Sequence, residues 1–98
     1  MIEAISSAIR LRRVLRVSYD PGERLVEPHC LGWGSEGQVL LRAFQVSGAS
    51  ASSEHREWKL FRLDRMVRCI EGGDEFPGAR PLYNPNDRVM KGGIIARL

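Results

Sequence analysis

The chain has 98 residues, a net charge of +3 and 43% hydrophobic residues, enough for one domain with a modest core and too little for a second domain beside it. Its two cysteines, Cys30 and Cys69, exclude a disulfide-dense scaffold. No apolar run is long enough to span a bilayer, and Glu3 interrupts any secretory leader at the N-terminus, so the expectation is a soluble, cytoplasmic protein with reduced thiols and no membrane contact.

Residues 1–13 predict a short amphipathic helix. Ile2, Ile5 and Ile9 recur at helical spacing, and Arg10, Arg12 and Arg13 crowd the last turn, where cations meet the negative end of the helix dipole. Residues 14–19 then alternate as a half-buried strand, and Asp20-Pro21-Gly22-Glu23 marks a turn. A second strand is expected over 24–33, with Pro28, which has no amide donor, placed at an edge or a bend. Gly34-Ser35-Glu36-Gly37 reads as a hairpin loop and 38–46 as a third strand. Apolar residues on both faces of that strand leave its inward side open. Ser47 to Ser53 is a small-residue loop.

The next segment admits two readings. As a helix over 54–70, Ser53 would cap it, Leu60, Leu63, Val67 and Ile70 would stripe one face, and Gly72-Gly73 would stop it. As strand, tight turn and strand, it would run Trp58 to Arg62, Leu63-Asp64-Arg65, then Met66 to Glu71. Residues 77–98 hold three of the five prolines and read as an irregular C-terminal arm with a brief turn at Leu82-Tyr83. Its end, Ile94 to Leu98, is apolar enough to dock on the domain or on a second subunit.

Chemistry concentrates in Glu57 to Met66, EWKLFRLDRM, where Lys59, Arg62 and Arg65 fall at steps of three among Trp58, Leu60, Phe61, Leu63 and Met66. Thirteen of the fifteen cations in the chain are Arg, whose planar fork suits phosphate groups. Together with VSYD (Val17 to Asp20) and RLVEP (Arg24 to Pro28), this stretch resembles the WYL domain, a small bacterial module that senses ligands and nucleic acids. The likeness runs from Ile2 to Phe76. At the position of the triplet that names the family stand Val39-Leu40-Leu41, so only Leu41 keeps its residue type.

The resemblance implies a mainly β fold: a short N-terminal helix followed by a five-stranded antiparallel Sm-like small barrel over 1–76, with the arm at 77–98. It favours strand, turn and strand for 58–71. It also implies a polar patch of Tyr19, Arg24, His29, Lys59 and Arg65, with Arg62 beside it. Lys59 stands where Arg is commoner in the family, which keeps the charge and loses the fork. Members commonly follow a helix-turn-helix domain and regulate it. These 98 residues leave no room for one, so a free-standing module, an excised piece and a DNA-binding regulator in trans are the alternatives.

On this basis the expected function is a non-catalytic regulatory module that binds a nucleic acid (single-stranded DNA or RNA) or a nucleotide-type anion through an Arg-rich groove, as part of transcription regulation. The alternative is an interaction module, a homodimer among its forms, without nucleic-acid binding. Each residue also has a plain structural reading. The cations can be ordinary surface ion pairs with Glu23, Glu27, Glu57 and Asp64, Tyr19 can be a packed side chain, and His29 a satisfied interior group. His29, Cys30, His55 and Cys69 lack zinc-site spacing. No nucleophile, His and acid set and no Gly-rich phosphate loop is present, so neither metal, cofactor nor enzymatic activity is expected.

Overall fold

The helix that opens the chain, α1 (Ile2–Leu11), is shorter than the periodicity suggests. Arg12 takes a left-handed conformation (φ 54°) and its amide closes the last turn on the carbonyls of Ala8 and Ile9. Arg13 already belongs to the first strand, so only Arg10 sits in the helix's last turn. The computed structural model, which describes all 98 residues, continues with β1 (Arg13–Tyr19), β2 (Gly22–Trp33), β3 (Val39–Gly48), β4 (Glu57–Arg62), a single 3-10 turn η1 (Leu63–Arg65), β5 (Arg68–Glu75) and β6 (Gly93–Arg97). All pairings are antiparallel, in the order β4-β3-β2-β1-β5, with β6 added to β2. The strand–turn–strand reading of 58–71 therefore holds, with strands over Glu57–Arg62 and Arg68–Glu75. The helical stripe fails because Leu60, Val67 and Ile70 are exposed, whereas Phe61 and Met66 are buried.

Strand β2 organises the sheet. Its first half pairs with β1 from Gly22 to Val26, and its last residues, Cys30 to Trp33, pair with β6. Pro28 lies between the two partners and beside a bulge against β3. An amide there would have no ladder acceptor on that side, so its absence costs nothing. The bend expected at Pro28 is thus a switch of partner strand within a continuous element.

The sheet is curled. Tyr19, at the end of β1, reaches past two strands to β4: its hydroxyl accepts a hydrogen bond from the Arg62 amide (3.2 Å) and its ring meets Phe61 edge-on at 4.9 Å. The Val67 amide donates to the Ser18 carbonyl (2.9 Å). The two end strands β4 and β5 are joined through η1 and are not hydrogen-bonded to each other, so the sheet is open. Six strands replace the expected five, because the arm ends as β6 and not in irregular structure.

Both faces of the central strands are covered. Ile5, Ala8 and Ile9 of α1 pack on Leu15, Val17, Val26, Leu31, Leu41, Ala43, Phe61 and Met66. On the opposite face the arm buries Cys30, Leu40 and Met90, with Tyr83, Val89 and Ile94 around them. This explains why β3 carries apolar residues on both sides: Leu41 faces the helix and Leu40 faces the arm. No helix is long and apolar enough to cross a membrane.

Candidate functional site

Alternation along the strands decides where each candidate side chain goes. On β2, Arg24 shares the helix-side face with Val26; on β4, Lys59 shares that face with Phe61. Arg62 falls on the opposite face with Trp58 and Leu60. Alternation places His29, like Glu27, on the arm side, and the bulge after Pro28 lets Cys30 face the arm as well. The six residues therefore do not form one groove. Of three surface cavities, one is lined in part by Arg24 and the other two by none of the six.

Arg24 is the most informative of them. It is only 5% exposed. Its guanidinium carbon lies 5.3 Å from the centre of the Tyr19 ring and 5.5 Å from that of Phe61, within cation–π range of both. Nε donates to the Tyr19 carbonyl (3.2 Å) and Nη2 to the Asp20 carbonyl. No carboxylate pairs with it. Burial pulls its pKa down, and the more distant charges of Tyr19 and Asp20 oppose that shift. Nη1 has no partner in the protein, yet the single fully buried side-chain polar atom without a partner is Gln45 Oε1. Nη1 therefore keeps access to solvent. Arg24 is a nearly enclosed cation held by neutral groups, with one donor edge open.

Lys59 lies on the same face under the 49–56 loop. Its Nζ donates to the hydroxyls of Ser50 (2.9 Å) and Ser52 (3.1 Å) and pairs with Glu57 (3.2 Å). Those bonds give the small-residue loop an anchor that its sequence does not advertise. Arg62 makes a two-pronged bond to Asp64 at 3.1 and 2.7 Å. That bond raises the Arg62 pKa and holds the Asp64 carboxyl below its ordinary range. Both groups are well exposed, so the pair staples η1 but contributes little to stability. Arg65 is exposed at the end of η1 and makes no ion pair.

His29 is not presented to solvent at all. It is 0% exposed and lies against Trp58, Phe76 and Tyr83, with ring centres at 4.7, 5.6 and 5.1 Å. Nδ1 is 2.8 Å from the Glu27 carbonyl oxygen, and Nε2 accepts from the Arg80 amide at 3.1 Å. Its environment is that of a satisfied interior histidine that fastens the arm, and no ring nitrogen remains for a phosphate. Beside it the Arg80 guanidinium grips the buried Glu27 carboxylate at 2.7 and 3.0 Å and stacks over Phe44 at 4.6 Å.

Sequence reasoning missed this second assembly on the arm side: Phe44, Trp58, Arg80 and Tyr83, with Arg56 over Phe44 at 5.5 Å. The clue available was Trp58, which the alternation of β4 places opposite Phe61. The partners from the arm, more than twenty residues away, had no local signal. No three His, Cys, Asp or Glu side chains converge as a metal site would need. No protein-family model, curated protein or solved structure matches this chain.

Proposed function

We propose that the chain is a non-catalytic binding module for a nucleic acid or nucleotide-type anion, built as a small Sm-like barrel, with Arg24 and Tyr19 at the centre of its site and Lys59 on the same face. The observation that carries this reading is the state of Arg24. An enclosed guanidinium without a carboxylate is costly unless something neutralises it, and its open Nη1 edge offers a phosphate oxygen a charge-assisted hydrogen bond. The Tyr19 ring, already in contact with the cation, gives the site an aromatic element as well. Arg65, free of carboxylates, adds attraction at longer range. The curl that brings Tyr19 onto β4 supports the barrel reading, with η1 bridging the unpaired ends.

The test is fluorescence anisotropy with a labelled single-stranded oligonucleotide at low and moderate salt. Binding should weaken with salt at a slope of about −0.7 per phosphate neutralised. Arg24→Gln should lose at least about tenfold in affinity, as expected when a charge-assisted contact is removed. Arg65→Ala should lower the slope while the fold persists. Absence of any salt-dependent change with DNA, RNA or mononucleotides would reject the reading.

A second reading, self-association through the free edge of β5, has its own support: Val67 is 84% exposed and Ile70 lies exposed beside that edge. A light-scattering mass of a dimer, unaffected by oligonucleotides, would favour it.

A further inference from the structure

The arm does more than cover the second apolar cluster. Between it and the sheet lies a cavity of about 250 Å³ lined by Arg42, Trp58, Leu82, Tyr83, Asn84 and Asp87. It is on the face away from Arg24. It is smaller than the range of roughly 300–1,000 Å³ that holds drug-sized ligands, which restricts it to a compact group of one or two rings.

Its walls and floor differ. The Trp58 and Tyr83 rings are nearly parallel (20°), with centres 6.2 Å apart. Both are fixed by hydrogen bonds at their polar ends: the Trp58 indole donates to the Pro81 carbonyl (3.0 Å), and the Tyr83 hydroxyl donates to the His29 carbonyl (3.3 Å). The polar part holds donors and acceptors together. Arg42 binds Asp87 through Nε (2.7 Å) and Nη2 (3.4 Å), which leaves Nη1 free. Asp87 accepts only one more bond, from the Val89 amide, so its carboxylate keeps acceptor capacity. Asn84 accepts from the Asn86 amide through Oδ1, leaving its amide hydrogens unused.

Leu82 is the anomaly at the entrance. It is a non-glycine residue in the left-handed region (φ 73°) and 93% exposed. Strained non-glycine backbone clusters at active sites, ligand clamps and switch regions. Such a residue has no reason of its own within the apolar cluster beneath the arm, which is built from Cys30, Leu40 and Met90.

From this combination we propose a second binding site, for a planar heteroaromatic ring of nucleobase size, which packs against Trp58 and Tyr83 beneath Leu82 and hydrogen-bonds along its edge to Asn84, Arg42 and Asp87. The mixed edge favours a base, with adjacent donors and acceptors, over a phenyl or indole side chain. The site needs no phosphate and stands apart from the proposed anion site, so each can fail alone.

The test uses uncharged nucleosides. Trp33→Phe leaves Trp58 as the only tryptophan, and its fluorescence is followed during titration with adenosine, guanosine, cytidine and uridine, with ribose as control. At least one nucleoside should quench it saturably and shift the indole N–H resonance of Trp58, while ribose does neither. Leu82→Ala and Asn84→Ala, both exposed positions, should each weaken that binding about fivefold or more, and Arg24→Gln should leave it unchanged. Several outcomes overturn the site: no response to any nucleoside from a folded protein, equal affinity in the Leu82→Ala and Asn84→Ala variants, or tighter binding of N-acetyl-tryptophanamide than of every nucleoside.

Discussion

Acidification should loosen the arm through His29. The carbonyl of Glu27 can only accept, so Nδ1 carries the proton; the amide of Arg80 can only donate, so Nε2 is bare. The ring is therefore neutral in the folded protein. A second proton would set an N–H against the Arg80 N–H within an enclosed aromatic box. Burial lowers the His29 pKa, and the nearby Arg80 charge acts in the same direction; the Glu27 carbonyl bond and carboxylate only partly offset it. The Glu27 carboxylate is itself held by the Arg80 guanidinium. A histidine whose pKa is lower folded than unfolded contributes stability that is fully present above the unfolded value, about 6.5. Below that value the unfolded chain takes up a proton that the folded one refuses. Stability then falls by up to about 1.4 kcal/mol per pH unit until the folded pKa is reached. Between pH 7.5 and 5.5 the loss is at most about 1.4 kcal/mol. With a urea slope of about 1–3 kcal/mol per molar for a small domain, the midpoint moves by a few tenths of a molar to about 1 M. The assay is urea unfolding of wild type and His29→Gln at pH 7.5, 6.5 and 5.5. Glutamine does not titrate, and His55 and the carboxylates, common to both proteins, cancel in the difference. The wild type should lose more stability than the variant across this range, by up to about 1.4 kcal/mol. Parallel pH profiles would refute the reasoning.

Arg80→Ala strips the Glu27 carboxylate, 5% exposed, of its fork and should cost about 3–5 kcal/mol, visible as a large fall in melting temperature. Gly48→Ala should destabilise by about 1–3 kcal/mol, because Gly48 has φ 108° and an added Cβ would lie 2.4 Å from the Glu23 carbonyl oxygen; the same change at Gly37 meets no neighbouring atom and should cost less in the same thermal melt. Arg65→Ala should leave the folding free energy within about 0.5 kcal/mol of wild type while lowering the salt slope of oligonucleotide binding by about 0.7.

Local chemistry made much of the fold legible. Alternation marked β1, and Asp20-Pro21 and Gly34 to Gly37 marked the turns flanking β2. The segment 54–70 shows the limit of periodicity. Leu60, Val67 and Ile70 make a helical stripe on paper, yet the buried residues are Phe61 and Met66, set by pairing with β3 and by contact with α1. Strand β6 could not be seen because its partner edge exists only where β1 leaves β2. The same holds for the site. Arg24 alternates with Val26, a signal for an inward position that was not drawn on, and its lack of a carboxylate partner is a three-dimensional fact. His29 was expected near a ligand because of the residues around it in the chain; alternation instead puts it in the arm-side cluster, where Arg80, fifty-one residues away, completes its bonding.

The most direct measurement of the central claim is the arginine Nε–H NMR spectrum of the protein during titration with a short single-stranded oligonucleotide. If Arg24 is the anion's partner, its Nε–H resonance shifts saturably, and that of Arg13, occupied by Glu71 and Glu75, stays in place. An unmoved Arg24 signal at saturation, or equal shifts at both arginines, would contradict the account.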